Sequence, residues 1–202
     1  MIYFGTCLSQ FADKLLKPNG LMIPARANME MCLMTNEQLW QYYNGFWGDV
    51  YGFKMNIMKK RTKGEGQVTA FSEKHVASEL VELISWDLKT CSIGDLSYTT
   101  PIELIASIDG IIHGVIVSFD CAMIDTKTPI VLSTSPLAPT THWKQTGFLF
   151  EHGVKAAKGD VFTGVFKLDR NFRNRRELKC HLKLAKRNDE KSVVCDQEYL
   201  VA

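Results

Sequence analysis

The sequence is short of most features that would announce a definite chemistry. Its six cysteines, Cys7, Cys32, Cys91, Cys121, Cys180 and Cys195, form no C-x-x-C, and no pair stands at a zinc-ligand spacing. Reduced, buried thiols in a cytosolic or nuclear protein are the expectation, with no metal site. No N-x-S/T sequon occurs, which agrees with an intracellular life. The longest apolar run, near Ile111 to Val117, is far short of the ~20 residues that cross a bilayer as a helix. Met1-Ile2-Tyr3-Phe4 lacks the basic start of a signal peptide, so no membrane partner is expected. Neither sign of charge is in excess. A net charge of +2 is too close to zero to argue for nucleic acid or an acidic membrane surface.

Chemical motifs are equally scarce. His75, His113, His152 and His181 are scattered, none at an H-x-x-x-H spacing, and read as packed or surface histidines. Carboxylates show no local cluster; Glu79, Glu82 and Asp87 flank the run Leu80 to Ile84 and read as the wet side of a helix or strand. Lys59 to Gly66 is basic and contains glycine, but neither G-x-x-x-x-G-K-S/T nor G-x-G-x-x-G stands there, so it reads as a solvated loop. Arg170, Arg173, Arg175, Arg176 and Lys179 read as a solvated hairpin, because a nucleic-acid footprint needs a wider basic face. Composition and spacing alone argue for no enzyme.

What is present is a core and a texture. The chain has 202 residues, of which 46% are hydrophobic and 23% charged, enough to bury one or two domains. Phe4, Leu8, Phe11, Leu15 and Leu16 fit one face of a helix over Ile2 to Leu16. Pro18-Asn19-Gly20 ends it. Leu21-Met22-Ile23 then reads as a short buried strand, and Arg26 to Met34 as a second. Thr35 to Phe53 holds seven aromatic rings, those of Trp40, Tyr42, Tyr43, Phe46, Trp47, Tyr51 and Phe53, with Gly45, Gly48 and Gly52 breaking any long helix. Each large ring buries ~150–250 Å² when covered. The cluster therefore packs on its own core or forms an arm that covers another subunit.

Beyond Asp95 the chain reads as β-rich. Ile102 to Ile108 and Ile111 to Phe119 flank Asp109-Gly110, a hairpin signal. Phe148 to Phe150, Val161 to Leu168, Leu178 to Leu184 and Val193-Val194 follow. Leu178, Cys180, Leu182 and Leu184 alternate with Lys179, His181 and Lys183, giving one buried and one wet face. The fold class is mainly β, a barrel or sandwich. One segment, "LAPTTHWKQTGF" from Leu137 to Phe148, packs an imidazole, an indole, an ammonium and an amide into five residues. By side-chain chemistry it is either the lining of a site or a strand edge.

A resemblance bears on that choice. "STSPLAPTTHWKQTGF", Ser133 to Phe148, closely resembles the T-H-W loop of the protein arginine methyltransferases. Three further stretches resemble the same family in its order. "ADKLLKPNGLMIP", Ala12 to Pro24, is similar to its post-catalytic helix and third motif. "FWGDVYGFKM", Phe46 to Met55, is similar to its dimerisation arm. "IIHGVIVSFD", Ile111 to Asp120, resembles a barrel strand. Four ordered matches leave an unrelated barrel with a chance T-H-W loop improbable.

The resemblance implies residues 1–23 as the last helix and strand of a Rossmann-like methyltransferase domain, then a β-barrel substrate-binding domain over 24–202 with an inserted helical dimerisation arm at 35–53. It implies that His142 and Trp143 stand at the floor of the arginine-binding site, His142 supporting the architecture by polar contacts. Trp40, Tyr43, Phe46, Trp47 and Tyr51 would face a second subunit. The family's glycine-rich V-L-D-x-G-x-G-x-G motif for S-adenosylmethionine and its double-glutamate loop do not occur in these residues. Arg26 matches the family's arginine after the third motif, whereas Ala25 replaces the acidic residue often found before it. The expectation is the C-terminal part of an arginine methyltransferase, a truncated product or a partial gene model. It would be cytoplasmic or nuclear, bind no cofactor alone and be inactive alone. Its partners would be a second copy or a full-length enzyme, and protein substrates with Arg/Gly-rich or basic segments. The other reading is a non-catalytic partner that docks on a full-length enzyme and regulates it.

Overall fold

The computed structural model of the chain describes residues 16–17, 19–124, 127–171, 173–174, 177–187 and 193–201, apart from the side chains of residues 60 and 61. The helix expected over Ile2 to Leu16 lies outside them, save for its last residue, as do Cys7, Arg175 and Arg176. The described chain is mainly β, built from two antiparallel sheets. Strand β1 (Arg26–Met34) is followed by a helical arm, β2 (Gln67–Thr69), β3 (Val81–Asp87), β4 (Tyr98–Ile105), β5 (Gly110–Met123), β6 (Ile130–Ser133), β7 (Gln145–Ala156), β8 (Val161–Arg170), β9 (Leu178–Lys186) and β10 (Val193–Val201). One sheet runs β2-β7-β5-β1-β3 with β6 added to β5; the other runs β10-β9-β8-β4.

Alternation explains which residues meet between the sheets. On β1, Ala27, Met29, Met31 and Leu33 enter the main core; on β9, Cys180, Leu182 and Leu184 do the same from the other side. Phe148, Phe166 and Tyr199 join the layers, with the Phe148 ring 4.9 Å from that of Tyr199 and 6.0 Å from that of Phe166. Burying a phenol demands a partner for its hydroxyl. Tyr199 donates to the Leu149 carbonyl at 2.8 Å.

The two sheets approach along two seams without fusing into one ladder. Near β3 and β4, Thr100 Oγ1 donates to the Leu83 carbonyl at 2.8 Å, and Ser78 and Ala106 form an isolated bridge. At the opposite side Gly66 N–H donates to the Leu200 carbonyl at 2.8 Å, and Leu200 N–H to the Gly64 carbonyl at 2.7 Å.

Three local expectations are corrected. Asp109-Gly110 turns no hairpin: β4 pairs with β8 and β5 with β1, β6 and β7. The chain changes sheet there. A second corner at residues 157–160 staples it, with Lys158 N–H on Asp109 Oδ1 at 2.8 Å and Ala106 N–H on the Asp160 carbonyl at 2.8 Å. Residues 59–66 are not simply a loop, because helix α2 spans Asn56–Lys63. Its lysines, methionine and arginine favour helix, and the glycines fall only after its end. Leu21 to Ile23 forms no strand, and Leu21 and Ile23 are exposed while Met22 enters the barrel core. A strand needs a neighbour for its N–H and C=O groups, and ladder pairing of β1 with β3 and β5 begins only at Arg26.

Candidate functional site: an anchored loop and a docked arm

The segment that carries His142 and Trp143 joins β6 to β7, and both its ends are fixed. Thr134 Oγ1 accepts from Phe119 N–H at 2.9 Å and donates to the Phe119 carbonyl at 2.8 Å. At the other end Gln145 is buried. Its amide donates to the Thr134 carbonyl at 2.7 Å and accepts from Phe71 N–H at 2.8 Å. A buried amide satisfied on both sides holds the loop's feet together. Within the loop Thr141 Oγ1 donates to the Trp143 carbonyl at 2.8 Å.

His142, Trp143 and Lys144 stand on the exposed crest. The Trp143 ring lies 5.8 Å from that of Phe119 and 6.4 Å from that of His142, yet is 41% exposed. An indole backed by one ring with its other surface open can stack a cation. The described residues give His142 no hydrogen-bond partner, so its ring nitrogens stay available. His142 and Trp143, consecutive in the chain, both stand on this crest.

The arm is built on the outside of the six-stranded sheet. Asn36 caps helix α1 (Glu37–Trp40) by accepting from Leu39 N–H at 3.0 Å. The helix then widens into a π turn at Gln41–Gly45 and tightens into a 3₁₀ turn at Phe46–Gly48. Leu39, Trp40 and Tyr43 pack on a cluster of Cys32, Met34, Phe71, Ile116 and Leu149. A register shift between β5 and β7 beside Ile112 and Gly114 frees the Phe150 carbonyl. That oxygen accepts from Trp40 Nε1 at 2.9 Å and from Asn44 Nδ2 at 3.5 Å.

His113, buried at the same irregularity, accepts from Asn36 N–H at Nδ1 (3.1 Å) and donates from Nε2 to Glu37 at 2.6 Å. This second arm anchor was invisible in the sequence, because the partners lie more than seventy residues apart. Gln41 and His113 both hold the exposed Glu37 carboxyl below its ordinary value by hydrogen bonding.

The arm's expected interface residues divide into two sets. Trp40 and Tyr43 face their own sheet, whereas Phe46 and Tyr51 are exposed and Trp47 is half-buried. Tyr51, 96% exposed, sits at the tip of a tight turn with φ of 54°, followed by Gly52 at 89°. Val50 and Phe53 close that turn by mutual hydrogen bonds of 2.9 and 3.1 Å, and the two positive φ values match the type I′ form of such a two-residue turn. Phe53 and Ile57 extend the same exposed apolar surface.

Two open cavities lie elsewhere, at the α2–β10 side. One of about 520 Å³ is lined by Lys63, Glu151, His152 and residues 193–198; another of about 630 Å³ is lined by Arg170, Arg173, Lys179 and Glu198. Neither includes the His142–Trp143 loop. Among the described residues no three histidines, cysteines or carboxylates are placed to hold a metal, and no helix is long and apolar enough to cross a membrane.

Residues 25–189 match the family model of the arginine methyltransferase oligomerization subdomain. The chain belongs to the arginine methyltransferase family. Protein arginine N-methyltransferase 1 of Chlamydomonas reinhardtii is 31% identical over 166 residues, which cover 82% of this chain and 48% of that protein. The protein of the same name from Schizosaccharomyces pombe is also 31% identical, over 82% of this chain and 49% of its own length. The chain therefore spans about half the length of these arginine methyltransferases. Among solved structures, the Trypanosoma brucei PRMT1 enzyme–prozyme heterotetrameric complex with AdoHcy superposes with a TM-score of 0.92. It is 26% identical, over 98% of this chain and 63% of that one. Arabidopsis thaliana protein arginine methyltransferase 10 shares the fold, with a TM-score of 0.78 at 15% identity over 98% of this chain and 66% of that one. The mainly β fold and the family expected from four short motifs are thus both found, with the family model matching residues 25–189.

Proposed function

We propose that these residues form the barrel side of the substrate groove, and the dimerisation arm, of a protein arginine N-methyltransferase. The observation that carries the reading is the crest of the β6–β7 loop: an open indole, and an imidazole with no hydrogen-bond partner among the described residues, on a loop whose two feet are buried and hydrogen-bonded. In this reading Trp143 gives a target guanidinium a flat surface to stack on, and His142 uses its free ring nitrogens to hold the opposite side of the pocket in place. Methyl transfer needs more: an acceptor nitrogen held in line with the methyl donor, and carboxylates that orient its guanidinium. S-adenosylmethionine is the methyl donor implied for the complete enzyme. These 202 residues supply one wall and do not transfer methyl groups by themselves. Substrates are proteins with Arg/Gly-rich or basic segments.

The arm gives the second part. Docked on its own sheet through Trp40 and Tyr43, it presents Phe46, Tyr51, Phe53 and Ile57 outward. A rigid apolar surface of this kind fits association with a second copy or with a full-length arginine methyltransferase. The regulatory-partner reading is favoured by one finding: a relative of the same fold assembles as an enzyme–prozyme heterotetramer.

Mixing the purified chain with a full-length arginine methyltransferase tests both readings. Sedimentation velocity reads association, and transfer of labelled methyl groups to an Arg/Gly-rich peptide reads activity. Association with changed activity supports the regulatory partner; association without it supports the structural half alone. No association with itself or the enzyme removes the arm from the account.

A further inference from the structure

The outer face of the six-stranded sheet is divided in two. Beneath the arm it is apolar, formed by Cys32, Met34, Ile116 and Leu149. Beyond the arm the same strands turn polar. Asn28 and Glu30 of β1 point away from the core that Met29 and Met31 enter. The register sets Glu30 opposite Ser118 of β5 and opposite Glu82 of β3, and sets Asn28 opposite Asp120 and Ser85. Directly opposed residues of antiparallel strands share a face. Three carboxylates thus gather from segments that lie far apart in the chain.

Two atoms of this cluster have no partner. Ser118 is only 2% exposed, and its Oγ makes no hydrogen bond; Asp120 Oδ1 is likewise buried and unpaired. Buried polar atoms are nearly always paired, so two adjacent exceptions require a reason. Burial, Asp120 and Glu82, in that order, push the Glu30 carboxyl above its ordinary value. Arg26, on the same strand face, makes no ion pair with any of them. Among the described residues the carboxylates do not converge as a metal-ligand set.

We propose that Asp120, Glu30 and Ser118 form a subsite for an arginine side chain of a bound peptide. A guanidinium offers five N–H donors in a planar fork. It can engage the Asp120 carboxylate, donate to Ser118 Oγ and relieve the repulsion that Glu30 feels. The site meets the loop already described at the loop's first foot. Asp120 pairs with Ser133 at the start of that segment, while Phe119, between Ser118 and Asp120, turns to the core face with Met29 and there backs Trp143. The inference rests on the substrate-groove reading: the subsite takes a second arginine of a segment whose target arginine lies at Trp143, and so selects segments that carry a second positive charge.

The test is fluorescence anisotropy of the 202-residue chain with a labelled Gly-Gly-Arg-Gly-Gly-Arg-Gly-Gly peptide, alongside a control peptide in which glutamine replaces both arginines. Asp120→Asn and Glu30→Gln keep shape and remove charge, and circular dichroism verifies their folding. Asp120→Asn is expected to weaken arginine-peptide binding by about tenfold, the scale of a lost charge-assisted hydrogen bond. Glu30→Gln weakens it less, and Ser118→Ala slightly. If both charge variants bind like the wild type while Trp143→Ala weakens binding, the groove reading stands and the subsite falls. If the charge variants weaken binding and Trp143→Ala does not, the subsite stands and the groove reading falls. Equal binding of both peptides by the wild type, or no binding of the arginine peptide, overturns the subsite.

Discussion

Replacing Trp40 by alanine tests whether the arm is docked on its own barrel. The indole packs on the Cys32, Met34, Phe71, Ile116 and Leu149 cluster and donates to the Phe150 carbonyl at 2.9 Å. Removing a fully buried tryptophan costs about 3–5 kcal/mol. Trp40 keeps part of its surface in solvent, so the packing loss falls to about 2–3 kcal/mol. The Phe150 carbonyl would retain only the long contact from Asn44 Nδ2 at 3.5 Å. Trp40→Phe separates the two contributions, since it keeps most of the ring contact and loses one hydrogen bond worth about 1 kcal/mol. Urea unfolding of the wild type and both variants reads the values, with the midpoint order wild type, Trp40→Phe, Trp40→Ala. A Trp40→Ala midpoint indistinguishable from the wild type would refute the docking and point to an arm that packs on another subunit.

The arm's outer face should behave in the opposite sense. Tyr51→Gly removes an exposed ring from a left-handed position, so stability should rise by about 1 kcal/mol while self-association in sedimentation equilibrium weakens; undiminished association would show that the tip makes no contact. A Cβ on Gly164 would stand 1.9 Å from the Lys183 carbonyl oxygen, so Gly164→Ala should destabilise by about 3 kcal/mol as β8 and β9 part. Gly48→Ala, with nothing within 4 Å, serves as the neutral control, and equal thermal midpoints for the two would contradict the β8–β9 register. Glu30 supplies a pH dependence. Its carboxyl is raised in the folded state, so ionising it opposes folding at pH values above its folded pKa, and that opposition disappears as pH falls below the unfolded value. Glu30→Gln should therefore be more stable than the wild type at neutral pH and equal to it in acid. A difference that does not change with pH would remove the electrostatic explanation.

The legible parts of the fold were those with local causes. Alternation along Leu178 to Leu184 marked β9 because its lysines face water and its leucines the core. The basic string from Arg170 to Lys179 reads as a solvated hairpin, and β8 and β9 pair on either side of it. Asp109-Gly110 misled because the dipeptide specifies a change of direction and says nothing about which strand is met afterwards. Residues 59–66 misled because their charge suggested a solvated loop, and a half-buried helix can carry such charges too. The His142–Trp143 segment was singled out only through family resemblance, since its side-chain chemistry left a site and a strand edge equally open. Two features had no local signal. The His113 contacts to Asn36 and Glu37 depend on an irregularity in β5–β7 pairing, and the gathering of Glu30, Glu82 and Asp120 depends on strand order. Both become visible only when the ladders are known.

The central claim is that this barrel supplies one wall of an arginine site and cannot complete the reaction alone. Equilibrium dialysis of the purified chain with labelled S-adenosylmethionine, run beside anisotropy with the arginine peptide, tests it most directly. The account predicts peptide binding that weakens in Trp143→Ala, with no retention of the cofactor and no transfer of its methyl group. Retention of S-adenosylmethionine by the chain alone, with methylated arginine in the peptide, would contradict it.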